Sequence, residues 1–126
     1  MLFLAKQEVL EIHRQVIEQT GGLPGIRDVG LLDSALLAPP NRRHYEGVGV
    51  AVCAATYAFH LTRNHPFVDG NKRIGAAVAE VFVRLNGFLL TASNDELVDL
   101  FLSIAAGAAT RETVEHAFVQ WVVCES

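Results

Sequence analysis

The sequence predicts an all-α fold: a compact bundle of about six helices around a central pair, with residues 1–126 forming one domain. Three observations predict it. Apolar residues recur at helical spacing in segment after segment, and glycine or proline ends most of those segments. The composition is rich in alanine, leucine and valine, with only 8% aromatic residues. The length suits one domain and is too short for two.

The elements follow in order. Leu2 to Leu4 reads as a short extended piece. From about Lys6 to Thr20, Val9, Ile12, Val16 and Ile17 fall on one helical side, and Gly21-Gly22 stops the helix. His13 lies on that apolar side, as expected of a core histidine with its hydrogen bond satisfied. Gly21 to Gly30 is a loop, charged at Arg27 and Asp28, and Asp28 is placed to cap the next helix. Leu31, Leu32, Ala35 and Leu36 predict a short amphipathic helix ended by Pro39-Pro40. In the polar stretch from Asn41 to Glu46, Arg42 and Arg43 form either a solvated face or a steering patch for nucleotide or an acidic partner.

From about Val48 to Arg63 the chain is apolar on nearly every side, which marks a buried central helix carrying Tyr57 and a structural His60. Asn64 to Gly70 forms a loop, and Asn71 to about Asn86 forms the second central helix, with Gly87 as its C-cap. Gly75, Ala76, Ala77 and Ala79 give this helix a small-residue side that another helix can approach closely. Phe88 to Thr91 is a candidate extended piece. Ser93 and Glu96 have the spacing of a capping box, followed by Leu97, Leu100, Phe101 and Ile104 at helical spacing until Gly107. Thr110 caps a last helix bearing Val114, Phe118, Trp121 and Val122.

Composition also bounds function. With 51% apolar and 19% charged residues the chain is not disordered, and its net charge of −4 disfavours a general nucleic-acid binder. Cys53 and Cys124 lie too far apart for a metal spacing, which points to a reduced, cytoplasmic protein. No leader peptide is expected at Met1, and the longest apolar run, Val48 to Phe59, is shorter than a bilayer span.

The chemistry concentrates in one stretch, His65-Pro66-Phe67-Val68-Asp69-Gly70-Asn71-Lys72-Arg73, between the two central helices. Gly70 permits a turn of positive φ, and the helix starting at Asn71 then presents free N–H groups and its positive dipole end to the loop. Such an end binds anions, phosphate above all. Lys72 and Arg73 are cations where the dipole disfavours them by roughly 0.3–1 kcal/mol each, which suggests that an anion is expected there. A carboxylate at Asp69 suits such a site when a divalent ion such as Mg²⁺ lies between it and the phosphate. His65 offers an imidazole, which titrates near neutral pH, to take a proton from a hydroxyl nucleophile. Phe67 would anchor the loop in the core. Together these residue types suit phosphoryl or nucleotidyl transfer.

The stretch also resembles the signature of the Fic/Doc proteins, H-x-F-x-[DE]-G-N-[GK]-R, and Lys72 in its eighth place is typical of the death-on-curing (Doc) branch. Gly21 to Asp28, Tyr45-Glu46-Gly47 and Leu85-Asn86-Gly87 are similar to Doc landmarks in order and spacing. The resemblance implies a toxin of a toxin–antitoxin pair that uses ATP and Mg²⁺ to phosphorylate a threonine of elongation factor Tu and so halt translation. It implies His65 as general base, Asp69 as metal ligand, and Gly70, Asn71, Lys72 and Arg73 around the nucleotide phosphates. It nominates Leu23 to Arg27 as a flap that docks the target by backbone pairing.

Two departures from the adenylylating Fic pattern argue against ordinary AMP transfer. Lys72 replaces a glycine, and the closing arginine of that pattern would fall at Ala76. The self-inhibiting motif [ST]-x-x-x-E-[GN] has no match here. Regulation is therefore expected in trans, from an antitoxin whose C-terminal segment docks as a helix. Direct nucleic-acid or membrane binding is not expected. AMP transfer and a catalytically inactive protein-binding relative are the alternatives.

Overall fold

A computed structural model describes residues 1–125. Six helices and two three-residue strands follow in the order α1 (Lys6–Thr20), α2 (Val29–Glu46), α3 (Val50–Asn64), α4 (Asn71–Leu85), β1 (Phe88–Leu90), α5 (Asn94–Ala105), α6 (Arg111–Trp121) and β2 (Val122–Cys124). The fold is all-α apart from the small antiparallel pairing of β1 with β2, in which Leu89 faces Val123.

Helix α3 lies at the centre, packed against α2, α4, α5 and α6. Its residues Cys53, Ala54, Ala55, Thr56, Tyr57, Ala58, Leu61 and Thr62 are all buried, as an all-round apolar sequence requires. Small side chains bring α3 and α4 close together. A Cβ built on Gly75 of α4 would meet the Thr62 hydroxyl at 2.5 Å and the Ala58 carbonyl at 3.3 Å, so only glycine fits there. Around this contact Tyr57, Phe82, Phe118, Leu61, Ile74 and Ile104 are fully buried, each worth about 1.5–3 kcal/mol relative to exposure. The Tyr57 hydroxyl accepts from the Leu4 amide at 3.2 Å, and burial pushes its pKa up to about 12.

Local capping signals were obeyed. Asp28 accepts from the Leu31 amide, Ser93 and Glu96 form a reciprocal capping box, and Thr110 accepts from the Thr113 amide. Helix α4 stops one residue early, at Leu85, with Asn86 as its C-cap and Gly87 just beyond at φ 83°. Leu2 to Leu4 is not a strand; the Asn86 carboxamide holds the main chain of Leu2 from both sides instead.

Two expectations are corrected. The helix begun at Val29 does not end at Pro39-Pro40 but runs on to Glu46. Each interior proline removes a helical hydrogen bond, a cost of about 3 kcal/mol. Burial of Leu32, Ala35 and Pro39 against the core outweighs that cost. The continued helix takes Asn41 to Glu46 with it, so Arg42 is neither solvated nor a steering group. Arg42 pairs with Glu46 at 3.0 Å and with Glu115 of α6, and its side chain is only 13% exposed. No helix among the described residues is long and apolar enough to cross a membrane.

Candidate active site

Helix α3 ends at Asn64, and the next residue, His65, adopts the left-handed conformation, φ 47° and ψ 54°. It is the only described non-glycine residue with positive φ, a strain of about 1–3 kcal/mol. The chain therefore turns sharply and leaves His65 exposed at the surface. Residues far back in sequence hold the turn. The Arg27 guanidinium donates to the carbonyls of His65 at 2.6 Å and Asn64 at 2.9 Å, and the amides of Arg27 and Asp28 both donate to the carbonyl of Pro66. The Val68 amide donates to the Gly25 carbonyl, so the segment around Ile26 pairs antiparallel with Phe67.

Phe67 is 1% exposed and anchors the loop as expected. Its ring lies on His13 of α1, with centroids 3.8 Å apart and planes within 8°. The Asn71 carboxamide closes the loop from the other side: its oxygen accepts from the Phe67 amide and its nitrogen donates to the Phe67 carbonyl, both at 3.0 Å. Asn71 thus spends both polar atoms on the loop, a positioning task that the sequence pattern alone did not disclose.

Asp69 points to the open side. One carboxylate oxygen accepts from the Gly70 amide at 2.8 Å and the other from the Leu23 amide at 3.2 Å, with Arg73 3.6 Å away. These amides, and then Arg73, hold its carboxyl below the usual aspartate range, so the group is a carboxylate at neutral pH. Arg73 reaches across to α1, donating to the Gly21 carbonyl at 2.8 Å and to the Thr20 hydroxyl. Gly22 is required by its neighbour, since a Cβ there would meet Asp69 Oδ2 at 2.6 Å.

Gly70, at φ 77°, is the N-cap of α4, and among the described residues no side chain caps that helix. Lys72 is exposed and forms no ion pair or hydrogen bond among the described residues. His65, Val68, Asp69, Gly70, Asn71, Lys72 and Arg73 line one cleft of about 240 Å³. Beside it, an apolar slot of about 270 Å³ runs between α4 and α5, where Lys72, Arg73 and Asn94 join Ala76, Leu97, Val98, Phe101 and Leu102. The arrangement offers an accessible imidazole, an ionised carboxylate, an uncapped helix N-terminus and one unpaired cation around a single cleft, a set of groups suited to an anion.

No group of three or more His, Cys, Asp or Glu residues among the described residues could enclose a metal ion. Asp69 alone does not suit a structural ion. It does suit Mg²⁺ arriving with a nucleotide, which commonly uses one or two carboxylates beside substrate phosphates and keeps several waters. Each Asp69 oxygen accepts a single amide bond and retains a lone pair for that purpose.

All six predicted site residues thus meet at this cleft. Sequence reasoning placed His13 in the core with its hydrogen bond satisfied, as found, and set Leu23 to Arg27 near the site, but it missed Thr20 and Gly22 and the bonds that His13, Leu23 and Arg27 make to the loop. Their only signal was a glycine-rich loop carrying an arginine, and a histidine on an apolar helix side.

Comparison with known proteins gives consistent matches. The sequence model of the Fic/DOC family matches residues 3–83. The chain is 32% identical over 115 residues to the protein named protein kinase doc of Escherichia phage P1, covering 90% of each. It is 37% identical over 94 residues to toxin Doc of Mycolicibacterium smegmatis, covering 73% of this chain and 71% of that one.

Proposed function

This chain belongs to the Fic/DOC family, and on that footing we propose that it is the toxin of a toxin–antitoxin pair. In this reading it is a Mg²⁺-dependent kinase that moves a phosphate from ATP to a hydroxyl of a translation protein, the threonine of elongation factor Tu being the foremost candidate. The observation that carries the reading is the convergence of exposed His65, ionised Asp69 and the uncapped start of α4 on one cleft.

In the proposed reaction, His65 takes the proton of the acceptor hydroxyl as its oxygen attacks the γ-phosphorus. The bond from that phosphorus to the β–γ bridging oxygen breaks, and ADP leaves. The first amides of α4, with Lys72 and Arg73, neutralise charge on the phosphates. Asp69 would hold the divalent ion, whose charge would offset that of the phosphates. Asn71 keeps the loop in register for the nucleotide. Ile26 is suited to dock a target segment, because no hydrogen bond among the described residues uses its N–H or carbonyl, while its neighbours' inward groups are taken.

The antitoxin's C-terminal segment would dock as a helix, and the apolar slot beside α5, with Val98 and Leu102 about half exposed, supports that part of the reading. The protein would act in the cytoplasm, with no direct contact to nucleic acid or membrane.

The test is incubation with purified elongation factor Tu, and separately with cell lysate, using ATP labelled at the γ- or the α-phosphate. Transfer of γ-label that falls about 10²–10⁴-fold in His65→Ala supports the kinase. Transfer of α-label establishes AMP transfer instead. Toxicity that survives His65→Ala establishes a binding module.

A further inference from the structure

Three consecutive carbonyls, those of Asn64, His65 and Pro66, are all taken by Arg27 and Asp28. The Arg27 side chain takes two of them, and its shorter bond, 2.6 Å, goes to His65 itself. His65 is also the one described non-glycine residue in the left-handed region, a conformation that a residue with a Cβ adopts only at a cost. The ring of His65 has no hydrogen bond of its own among the described residues, so its direction depends on the main chain beneath it. Asp28 extends the same device by capping α2 through the Leu31 amide, while the Asn64 carboxamide donates to the Leu31 carbonyl at 3.3 Å. The start of α2 and the end of α3 are therefore tied at the point where the imidazole leaves the backbone.

We infer that Arg27 is a positioning residue for His65: by holding the Asn64 and His65 carbonyls it fixes the left-handed turn that aims the imidazole into the cleft. The same hold couples the Gly21–Asp28 segment to the reacting end of the site. Displacement of that segment by a docked target would alter the His65 orientation through one guanidinium. The inference rests on the proposed role of His65, but its first readout does not need activity.

The experiment compares the wild-type chain, Arg27→Ala and Arg27→Lys. The imidazole signals are followed by NMR with label at Cε1, His65 being assigned by its loss in His65→Gln. In Arg27→Ala the His65 signal is expected to broaden or split while those of His44 and His116 stay in place. In the transfer assay kcat should fall about 10- to 100-fold, the scale of a misaimed reacting group, with KM for ATP unchanged. Arg27→Lys, which reaches only one carbonyl at a time, should recover part of the rate, and millimolar guanidinium added to Arg27→Ala should recover more. An unchanged His65 signal overturns the inference. So does a spectrum in which His44 and His116 move as much as His65, since that shows general loosening. A His65 signal that responds in a chain transferring no phosphate would sink the kinase reading and leave the positioning role standing.

Discussion

The Nε2 atom of His13 lies 2.9 Å from the main-chain carbonyl of Asp69, 56 residues further along the chain. A carbonyl can only accept, so the His13 proton sits on Nε2. The ring is 5% exposed and stacks on Phe67, so one side chain supports the loop both by packing and by hydrogen bonding. Replacing it by alanine leaves a cavity and a carbonyl without its donor. We expect His13→Ala to destabilise the fold by about 2–4 kcal/mol and to reduce transfer. His13→Phe should restore most of the stability but not the rate. Denaturant midpoints and the transfer assay, run on both variants, check this.

Asp69 sets an acid limit for the loop. Its carboxyl is held below the ordinary aspartate range by the Leu23 and Gly70 amides and then by Arg73. A depressed carboxyl contributes stabilisation that is complete above the unfolded value, near pH 4, and is lost as pH falls through the folded value. Hydrogen-exchange protection of the Leu23 and Gly70 amides is therefore expected to hold from neutrality to about pH 5 and to fade only in stronger acid. In Asp69→Asn that protection should be weaker at neutrality and nearly independent of pH.

Arg42 separates structural from functional cations. It joins Glu46 and Glu115 across α2 and α6, and the carboxylates beside it raise its pKa. Removing one partner of a fully buried pair costs about 3–5 kcal/mol, and the residual exposure of this pair lowers the expectation for Arg42→Ala to about 2 kcal/mol. Its catalytic constants should match the wild type at temperatures where both are folded. A loss of kcat without loss of stability would contradict this assignment.

The α3–α4 contact yields a paired prediction. Gly75→Ala would push a methyl group into the Thr62 hydroxyl, Phe101 and the Ala58 carbonyl, at about 1–3 kcal/mol. The Thr62 hydroxyl is buried without a partner among the described residues. Thr62→Val removes that unmet polar group at nearly constant shape and should be neutral or stabilise by up to about 1 kcal/mol. Thermal melts of the two variants should move in opposite directions, or the second not at all.

What was legible in the sequence was local. The limits of α1 followed from apolar spacing and Gly21-Gly22, and the caps at Asp28, Ser93 and Thr110 from residues within one turn of their targets. The nonapeptide from His65 to Arg73 stood out through its residue types alone, and its polar side chains line one cleft. Nonlocal features did not show. Pro39 and Pro40 obeyed their burial rather than the helix-breaking rule, and Arg42 found a carboxylate 73 positions away. Strand β2 exists because Val122–Cys124 meets Phe88–Leu90, a pairing too short to leave a periodic trace. The resemblance implies Asn71 as a nucleotide contact, and nothing in the spacing shows that its amide also folds back on Phe67.

The reciprocal grip between the signature loop and the Gly21–Asp28 segment means that the nine letters of the motif are not a portable module. Grafted onto another helical hairpin, they would keep every reactive group but lose the donor to Asp69 at Leu23, the anchor for Arg73 at Gly21 and the brace beneath the histidine at Arg27. Recognising this cleft in a distant chain therefore calls for searching two separated stretches together, because the later one lines it and the earlier one holds that lining in place.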